Sequence, residues 1–337
     1  MNELNKIFVL GGAGFLGYHT IKEAVDRGYA VRTVDVVDLP DELKFNDDAN
    51  VDFIVQNFFA LSDAEIVEMI RGCDSFVYAG GVDERIVPEK PARKFFYDKN
   101  VLPTERIARL AKEAGVKNFV LFGSYTSEFA EKNEYLRENL YQEEPYVETR
   151  LLQEKAAMYA GEGAMNVSVL RLPQIFGTMP GKVPLWSMFV DMLRNQEFMP
   201  VTSGGFATIT ASAVGQAAIS ALENGKHRKT YAVATGYISY EDFYKKILEE
   251  LGQTETTKLK VMSFEDLEEA YKEDEKLTDR QGIEHGIRQV NMLRANSMEF
   301  KIPTSIAYDE LRVREENTET VIDETLRASN FRNVEKK

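Results

Sequence analysis

The sequence is poor in the residues that build disulfides and metal centres. Its 337 residues include one cysteine, Cys73, and three histidines, His19, His227 and His285. A single cysteine excludes an intrachain disulfide and a cysteine metal cluster. The histidines do not recur at the spacing of metal ligands. We therefore expect no metal site, and the composition disfavours hydrolysis by a histidine base or a zinc ion.

The chain also lacks long apolar runs and an excess of positive charge. No segment approaches about 18 consecutive apolar residues, and the first apolar run is too short for a signal peptide. Lysine and arginine number 41 against 55 aspartate and glutamate, which gives a net charge of −14. Such a balance does not suit nucleic acid or an anionic membrane as a partner. We expect a cytoplasmic protein that binds neither.

Short β-rich runs alternate with helical patterns through the first half of the chain. We predict strands over 6–10, 30–35, 51–56, 75–81, 118–124 and 166–172. Helices between them include 100–114 and 145–161. This alternation predicts an α/β fold, with a Rossmann-type, doubly wound parallel sheet that carries helices on both faces.

The pattern changes after Gly177. Residues 205–235 read as a strand, a helix and a further strand that return to the main domain. We therefore predict a dinucleotide-binding domain of residues 1–177 plus about 205–235. The remainder, about 178–204 plus 236–337, is predicted as a smaller, partly interleaved substrate-binding cap.

A glycine-rich turn follows the first predicted strand. Residues 11–17 read GGAGFLG and match G-x-G-x-x-G from Gly12 to Gly17. The match follows a strand, opens a helix and precedes a strand that ends in an acid about 20 residues on. Such a turn lets the backbone approach a pyrophosphate at a helix N-terminus, so the pattern predicts dinucleotide binding. The alternative is a tight strand-to-helix turn without a ligand.

Asp35 ends the second predicted strand. A carboxylate there can accept both ribose hydroxyls and repels a 2′-phosphate. Val36 and Val37 supply no cation for that phosphate, although Arg32 within the strand could reach around. We therefore predict NAD as the cofactor, with NADP less favoured. The alternative role for Asp35 is to cap a turn.

Taken together, these features resemble an extended short-chain dehydrogenase/reductase of the NAD-dependent epimerase/dehydratase family. The resemblance covers most of the chain and is strongest over residues 6–177. Besides the glycine turn and Asp35, it rests on YAGG at 78–81, Asn100 in KNVLPTERIARL, Ser124 in LFGSYTS, Tyr146 with Arg150, and LRLPQIFG at 170–177.

The resemblance implies a set of cofactor-binding residues along the turn and the strand ends. These are Gly11, Gly14, Phe15, Leu16, Gly17, Asp35, Asn57, Phe58, Ala79, Gly80, Gly81, Asn100, Leu172 and Pro173. Within the set, Asn57 and Phe58 would lie beside adenine, and Leu172 and Pro173 near the nicotinamide. For the hydrophobic members, core packing is an equal alternative.

The resemblance also implies catalytic roles for Ser124, which would orient the substrate oxygen, and for Tyr146, the acid/base. A free tyrosine has a pKa near ~10, so it needs a neighbouring cation to work near neutrality. The family usually has lysine four residues on, where this chain has Arg150. Arginine is a permanent cation that can bond ribose hydroxyls but cannot relay a proton. The alternative for Arg150 is a salt bridge to Glu154, one turn further on.

We therefore predict an NAD-dependent enzyme that transfers hydride at a hydroxyl- or carbonyl-bearing carbon of a small-molecule substrate. Both an epimerase or dehydratase and a dehydrogenase remain open. Arg288 and Arg294 are the candidates to bind the diphosphate of a nucleotide sugar. The alternative function is a non-catalytic, dinucleotide-binding redox sensor that acts through a protein partner, because such relatives lack the lysine. A homodimer would be usual for the family.

Overall fold

The computed structural model describes residues 5–45 and 50–330. The strands are β1 (Lys6–Leu10), β2 (Ala30–Asp35), β3 (Val51–Val55), β4 (Ser75–Tyr78), β5 (Asn118–Ser124), β6 (Asn166–Leu172), β7 (Gln174–Phe176), β8 (Phe198–Thr202), β9 (Gly205–Thr210), β10 (Lys229–Ala232), β11 (Gly236–Ser239) and β12 (Lys258–Met262). The helices are α1 (Phe15–Asp26), α2 (Asp63–Ile70), α3 (Ala92–Phe96), α4 (Leu102–Glu113), α5 (Tyr125–Lys132), α6 (Glu134–Glu138), α7 (Pro145–Gly161), α8 (Ser187–Leu193), α9 (Ala211–Asn224), α10 (Tyr240–Leu251), α11 (Phe264–Arg280), α12 (Gln289–Asn296) and α13 (Thr318–Asn330).

Seven strands form one parallel sheet in the order β10-β6-β5-β4-β1-β2-β3. The chain order reverses at β1, which has β2 on one side and β4 on the other. In such sheets ligands bind outside the carboxyl ends of the strands at this reversal. The predicted Rossmann-type α/β fold is confirmed.

The central sheet is covered on both faces, and the sequence of β1 shows why. Ile7 and Val9 pack in one apolar cluster with residues of α1 and α9, whereas Phe8 and Leu10 pack in the opposite cluster with residues of α2 and α4. Alternate side chains of a strand point to opposite faces. A strand buried on both faces therefore reads as a continuous apolar run, as KIFVL does.

A second region follows β6. Strands β7, β9 and β11 form a three-stranded sheet, and β8 pairs in parallel with β12. Its aromatic core includes Phe176 and Trp186, whose rings stack 4.2 Å apart. The segment 205–235 is divided: β9 belongs to this small sheet, whereas α9 packs on α1 and β10 joins the central sheet. The predicted domain boundaries stay a prediction.

Two further differences concern local pattern. Residues 258–262 form β12, although the sequence after residue 253 reads as helical. The helix predicted over 100–114 begins earlier, as a π-helical turn over Tyr97–Val101 that continues into α4. The first difference comes from a partner distant in the chain, because β12 forms by pairing with β8.

Candidate active site

The glycine turn joins β1 to α1 at the carboxyl edge of the central sheet. Gly11 has a φ of +92°, and its carbonyl oxygen accepts the Gly14 N–H at 3.0 Å. A Cβ on Gly17 would lie 2.0 Å from that carbonyl oxygen, so only glycine lets α1 begin this close to the turn. Phe15 and Leu16 belong to the first helical turn, whose N–H groups have no acceptor within a helix. The turn therefore presents N–H groups and a helix N-terminus to an anion.

Asp35 lies beside this turn. One carboxylate oxygen accepts the Ala13 N–H at 2.9 Å, and the other accepts the Val36 N–H at 2.7 Å. The side chain thus has the turn-capping role that the sequence left as an alternative. A carboxylate offers about four acceptor positions, so the half-buried Asp35 keeps capacity for ribose hydroxyls.

Arg32 is engaged elsewhere. Its Nε donates to the Asp52 carboxylate at 2.7 Å, and its Nη1 donates to the Met69 carbonyl oxygen at 2.9 Å. These bonds tie the guanidinium to the neighbouring strand and to α2. This arrangement favours NAD over NADP, because the guanidinium is not directed at a 2′-phosphate.

The residues after β3 separate into one exposed and one buried side chain. Asn57 is exposed, whereas Phe58 is 2% exposed and its ring lies 5.5 Å from the Phe8 ring in the core. The Phe58 side chain has the packing role. Asn57 remains accessible to a ligand at this edge.

The turn after β4 is fixed by Asn100, which is fully buried. Asn100 Oδ1 accepts the Val82 N–H at 2.9 Å, and its Nδ2 donates to the Val82 carbonyl oxygen at 3.0 Å. Ala79 and Gly80 are half-buried on this turn, and Gly81 is exposed. Asn100 therefore acts on the turn that would line the cofactor path.

Ser124 and Leu172 are the last residues of β5 and β6 and pair in register. Ser124 Oγ accepts the Thr126 N–H at 3.3 Å and caps α5. Leu172 and Pro173 are buried beside this strand end. The pairing places the predicted nicotinamide-side residues next to the predicted oxygen-orienting serine.

Tyr146 lies in the first turn of α7, which has the predicted bounds. Its ring packs edge-on against Phe96, with centroids 5.2 Å apart. Burial raises the pKa of the Tyr146 phenol well above its usual value; the positive charge of Arg150 and a hydrogen bond with Ser124 act against this shift. The phenol is therefore protonated near neutral pH. It can donate a proton directly, but it needs further positive charge to act as a base.

Arg150 does not form the salt bridge to Glu154 that was the alternative. Its guanidinium carbon lies 5.8 Å from the centroid of the Tyr146 ring, and Nη2 donates to the Phe122 carbonyl oxygen at 2.8 Å. Its Nε is buried and has no hydrogen-bond partner within 5–45 and 50–330. A buried donor without a partner suits a ligand oxygen. Arg150 thus belongs to the site.

The partner of Glu154 is Arg171, which the sequence analysis missed. Arg171 is 1% exposed and donates from Nη2 to Glu154 at 2.7 Å. Its Nη1 donates to Glu128 and Glu131 of α5, each at 2.7 Å. The network joins α5, which begins beyond Ser124, to α7. The sequence did contain one sign of this network, because an arginine inside the buried run NVSVLRL requires anionic partners.

Glu84 is a second residue that sequence reasoning missed. It lies on the loop after β4, and burial raises the pKa of its carboxyl group. Its negative charge contributes to the raised pKa values of Tyr125, Tyr141 and Tyr146. No local motif marks this residue, because its relation to the tyrosines depends on tertiary packing.

Within residues 5–45 and 50–330, no group of three or more histidine, cysteine, aspartate or glutamate side chains is placed to hold a metal ion. The same residues include no helix long and apolar enough to cross a membrane.

Comparison with known proteins identifies the family. The model of the NAD dependent epimerase/dehydratase family matches residues 7–205, which is more than half of the chain. The protein belongs to this family. This membership confirms the predicted family.

The relatives set the limits of this identification. The human sterol-4-alpha-carboxylate 3-dehydrogenase, decarboxylating, is 26% identical over 211 residues, which cover 60% of this chain and 53% of the relative. The chain spans about half the length of the sterol-4-alpha-carboxylate 3-dehydrogenases that it matches. The whole activity of those relatives therefore does not transfer directly.

Solved structures resemble the chain over nearly its whole length. The protein gox2253 has a TM-score of 0.72 at 16% identity, covering 96% of this chain and 97% of that one. The dTDP-glucose 4,6-dehydratase DesIV from Streptomyces venezuelae, with NAD bound, has a TM-score of 0.63 at 15% identity, covering 96% of each chain. At these identities the likeness establishes the fold alone.

Proposed function

We propose that the protein transfers hydride between NAD and a hydroxyl- or carbonyl-bearing carbon of a small-molecule substrate. The observation that carries the proposal is the placement of Ser124, Tyr146 and Arg150 together at the carboxyl edge of the sheet. In this proposal Tyr146 moves the proton, Ser124 orients the substrate oxygen, and Arg150 supplies the positive charge that lysine supplies in relatives.

The glycine turn, Asp35 and the strand-end residues would hold NAD. The close approach of Gly17 to Gly11 supports this assignment, because a side chain at Gly17 would collide with the turn. When bound, NAD supplies the hydride chemistry, and the chain supplies placement and electrostatics. The exposed Asn57 and the Ala79–Gly81 turn extend the same edge.

The raised pKa of Tyr146 means that the phenol holds its proton near neutral pH. For reduction, the protonated phenol donates to a carbonyl oxygen that the Ser124 hydroxyl also contacts. For oxidation, a phenolate must form, and Arg150 stabilises it through its charge. Arg150 stays protonated, so the proton does not pass through that side chain.

The two arginines that could bind a diphosphate, Arg288 and Arg294, already contact other residues of the protein, which favours a substrate without a diphosphate. Arg288 Nε donates to Glu144 at 2.8 Å. The Arg294 guanidinium lies 4.9 Å from the centroid of the Phe264 ring and donates to Asn291. Both candidates for diphosphate binding thus have protein partners. We infer a dehydrogenase or reductase that acts on a less polar alcohol or ketone. The human relative is also named as a dehydrogenase.

The second candidate function is the redox sensor, and Arg150 in the place of lysine favours it. A sensor needs dinucleotide binding but not the acid/base chemistry of Tyr146. The two functions therefore predict different results when the Tyr146 hydroxyl is removed. An enzyme would lose turnover, whereas a sensor would still bind dinucleotide.

A homodimer is part of the proposal. Helices α4 and α7 pack against each other and leave Leu102, Leu152 and Tyr159 exposed. Apolar side chains on adjacent helices suit contact with a second copy. Sedimentation of the purified chain tests this expectation.

The deciding experiment begins with protein purified without added nucleotide. The protein is denatured, and any released dinucleotide is quantified. Binding of added NAD and NADP is then measured, and secondary alcohols and ketones are screened for NADH formation or consumption. We expect little retained dinucleotide, tighter binding of NAD than of NADP, and turnover that Tyr146→Phe reduces by about 100-fold or more.

The other outcomes discriminate between the alternatives. Near-stoichiometric retained NAD would point to an epimerase or dehydratase that regenerates its cofactor internally. Binding of NAD without any turnover, and without an effect of Tyr146→Phe, would favour the sensor. Failure to bind NAD would overturn the proposal.

A further inference from the structure

A segment distant in the sequence packs directly on Tyr146. The 282–291 segment, defined as Gly282–Asn291, precedes and begins α12. The Tyr146 N–H donates to the Gly286 carbonyl oxygen at 2.7 Å. A Cβ on Gly286 would lie 2.6 Å from Phe96 and 2.9 Å from the Tyr146 Cβ. Only glycine therefore permits this contact, which reaches both the backbone and the side chain of the tyrosine.

A buried carboxylate holds this segment in place. Glu144, which immediately precedes α7, is 1% exposed. Its carboxylate accepts the Arg288 N–H at 2.9 Å and the Arg288 Nε–H at 2.8 Å. Asn291 Nδ2 also donates to it, at 2.5 Å. All three donors come from the 282–291 segment, and a buried carboxylate requires such donors.

The same segment also contacts the opposite wall of the site. The Glu284 carboxylate accepts the Ala92 N–H at 2.7 Å, and the Glu284 N–H donates to the Pro88 carbonyl oxygen at 2.9 Å. Ala92 begins α3, whose Phe96 packs edge-on against Tyr146. The segment therefore joins α3 to the start of α7, which carries Tyr146.

We propose that Glu144 is a positioning residue for Tyr146. Its carboxylate holds the 282–291 segment against the start of α7, and the segment holds the tyrosine against Phe96. Loss of the fastening would let the Gly286 carbonyl withdraw from the Tyr146 N–H and let the ring change its place. The proposal rests on the proposed function of Tyr146 as the acid/base.

The test compares Glu144→Gln with Glu143→Gln. The control removes the same charge one residue away, at an exposed side chain. Protein labelled with ¹³C at tyrosine Cζ reports the phenol environment, and the Tyr146 resonance is assigned by its loss in Tyr146→Phe. Amide hydrogen exchange resolved at Tyr146 reports its bond to Gly286. Binding of added NAD is measured for each variant.

We expect Glu144→Gln to shift the Tyr146 resonance and to speed exchange of its amide about tenfold, since a bond to a charged group contributes about 1.5 kcal/mol or more. Affinity for NAD stays unchanged, and Glu143→Gln alters neither signal. An unchanged resonance and exchange rate in Glu144→Gln would overturn the positioning role. Failure of the unaltered protein to bind NAD would instead overturn the proposed function.

A second variant covers a failure of Glu144→Gln to fold. Arg288→Gln removes the Nε–H bond and the positive charge beside Glu144, while the Arg288 backbone N–H and Asn291 Nδ2 remain as donors. The Arg288 side chain is 58% exposed, so folding tolerates its replacement. A smaller resonance shift and a smaller rise in the amide exchange rate than in Glu144→Gln are expected. Folded Arg288→Gln protein with an unperturbed Tyr146 would then overturn the proposal.

Discussion

Arg150 lies one helical turn after Tyr146, with its guanidinium carbon 5.8 Å from the centroid of the tyrosine ring. The guanidinium donates to the Phe122 carbonyl oxygen, not to a carboxylate. A carbonyl group does not neutralise the charge, so the cation remains effective beside the phenol. This relationship explains how the site can keep a positive charge without the lysine of its relatives.

Arg150→Lys is expected to retain the charge and lose part of the activity. Lysine cannot form the guanidinium fork, and the loss of one charged hydrogen bond of about 1.5–3 kcal/mol reduces turnover about tenfold or more. Steady-state kinetics with the alcohol or ketone found by screening measures the effect. Lys155→Met, at an exposed cation of the same helix, is the control. A large gain in turnover would mean that arginine impairs the site.

Tyr146→Phe is expected to reduce turnover by about 100-fold or more, because general acid–base catalysis contributes about 10²–10⁴. The affinity for NAD, measured by titration, should stay within a small factor. Tyr159→Phe, on the exposed face of the same helix, should change neither quantity. Equal activity of Tyr146→Phe and the unaltered protein would remove Tyr146 from the mechanism.

Glu84→Gln is expected to move the pH dependence of alcohol oxidation to lower pH. The Glu84 carboxylate repels the phenolate and so contributes to the raised pKa of Tyr146. A neutral amide removes that repulsion, the pKa falls, and the phenolate forms at lower pH. The rising limb of kcat against pH reports the change. Glu89→Gln, at an exposed position of the same loop, is the control, and an upward shift for Glu84→Gln would contradict the assigned electrostatics.

The features predictable from sequence are those set by local order along the chain. The glycine turn, Asp35 at the end of β2, and the bounds of α7 all follow from neighbouring residues. Their meeting at one edge follows from parallel topology, because every strand of such a sheet ends on the same side. The joint placement of Tyr146 and Ser124, in contrast, was expected from the family resemblance.

The remaining features depend on partners that the sequence does not specify. The sequence does not show whether Glu154 pairs with Arg150 or with Arg171. Tertiary packing decides that its partner is Arg171. The hydrogen bonds between Glu144 and Arg288 likewise join residues that are 144 positions apart in the chain. The pairing of strand β9 with β7 and β11 is not specified by its sequence for the same reason, since tertiary contacts select these partners.

Asp35→Asn is expected to weaken the preference for NAD over NADP. The amide no longer repels a 2′-phosphate, and it accepts ribose hydroxyls less strongly than a carboxylate does. The loss of one charge-assisted bond corresponds to about tenfold in NAD affinity. Titration with both dinucleotides gives the ratio of dissociation constants. Asp38→Asn, an exposed acid three residues on, should leave that ratio unchanged, and a constant ratio in Asp35→Asn would show that other residues select the cofactor.

Arg171→Met is expected to destabilise the fold more than any surface ion pair does. Arg171 is buried with three carboxylates around it, and its removal leaves Glu154 buried without its partner. Breaking a buried pair from one side costs about 3–5 kcal/mol, whereas an exposed pair contributes about 0–1 kcal/mol. Urea unfolding of Arg171→Met and of the control Arg109→Met, whose ion pair with Asp63 is exposed, measures both free energies of unfolding.

The double variant Arg171→Met with Glu154→Leu should recover part of the lost stability, because it removes the unpaired charge of Glu154 together with its partner. Equal losses in the two single variants would show that water reaches the Arg171 network and screens it as it does a surface pair.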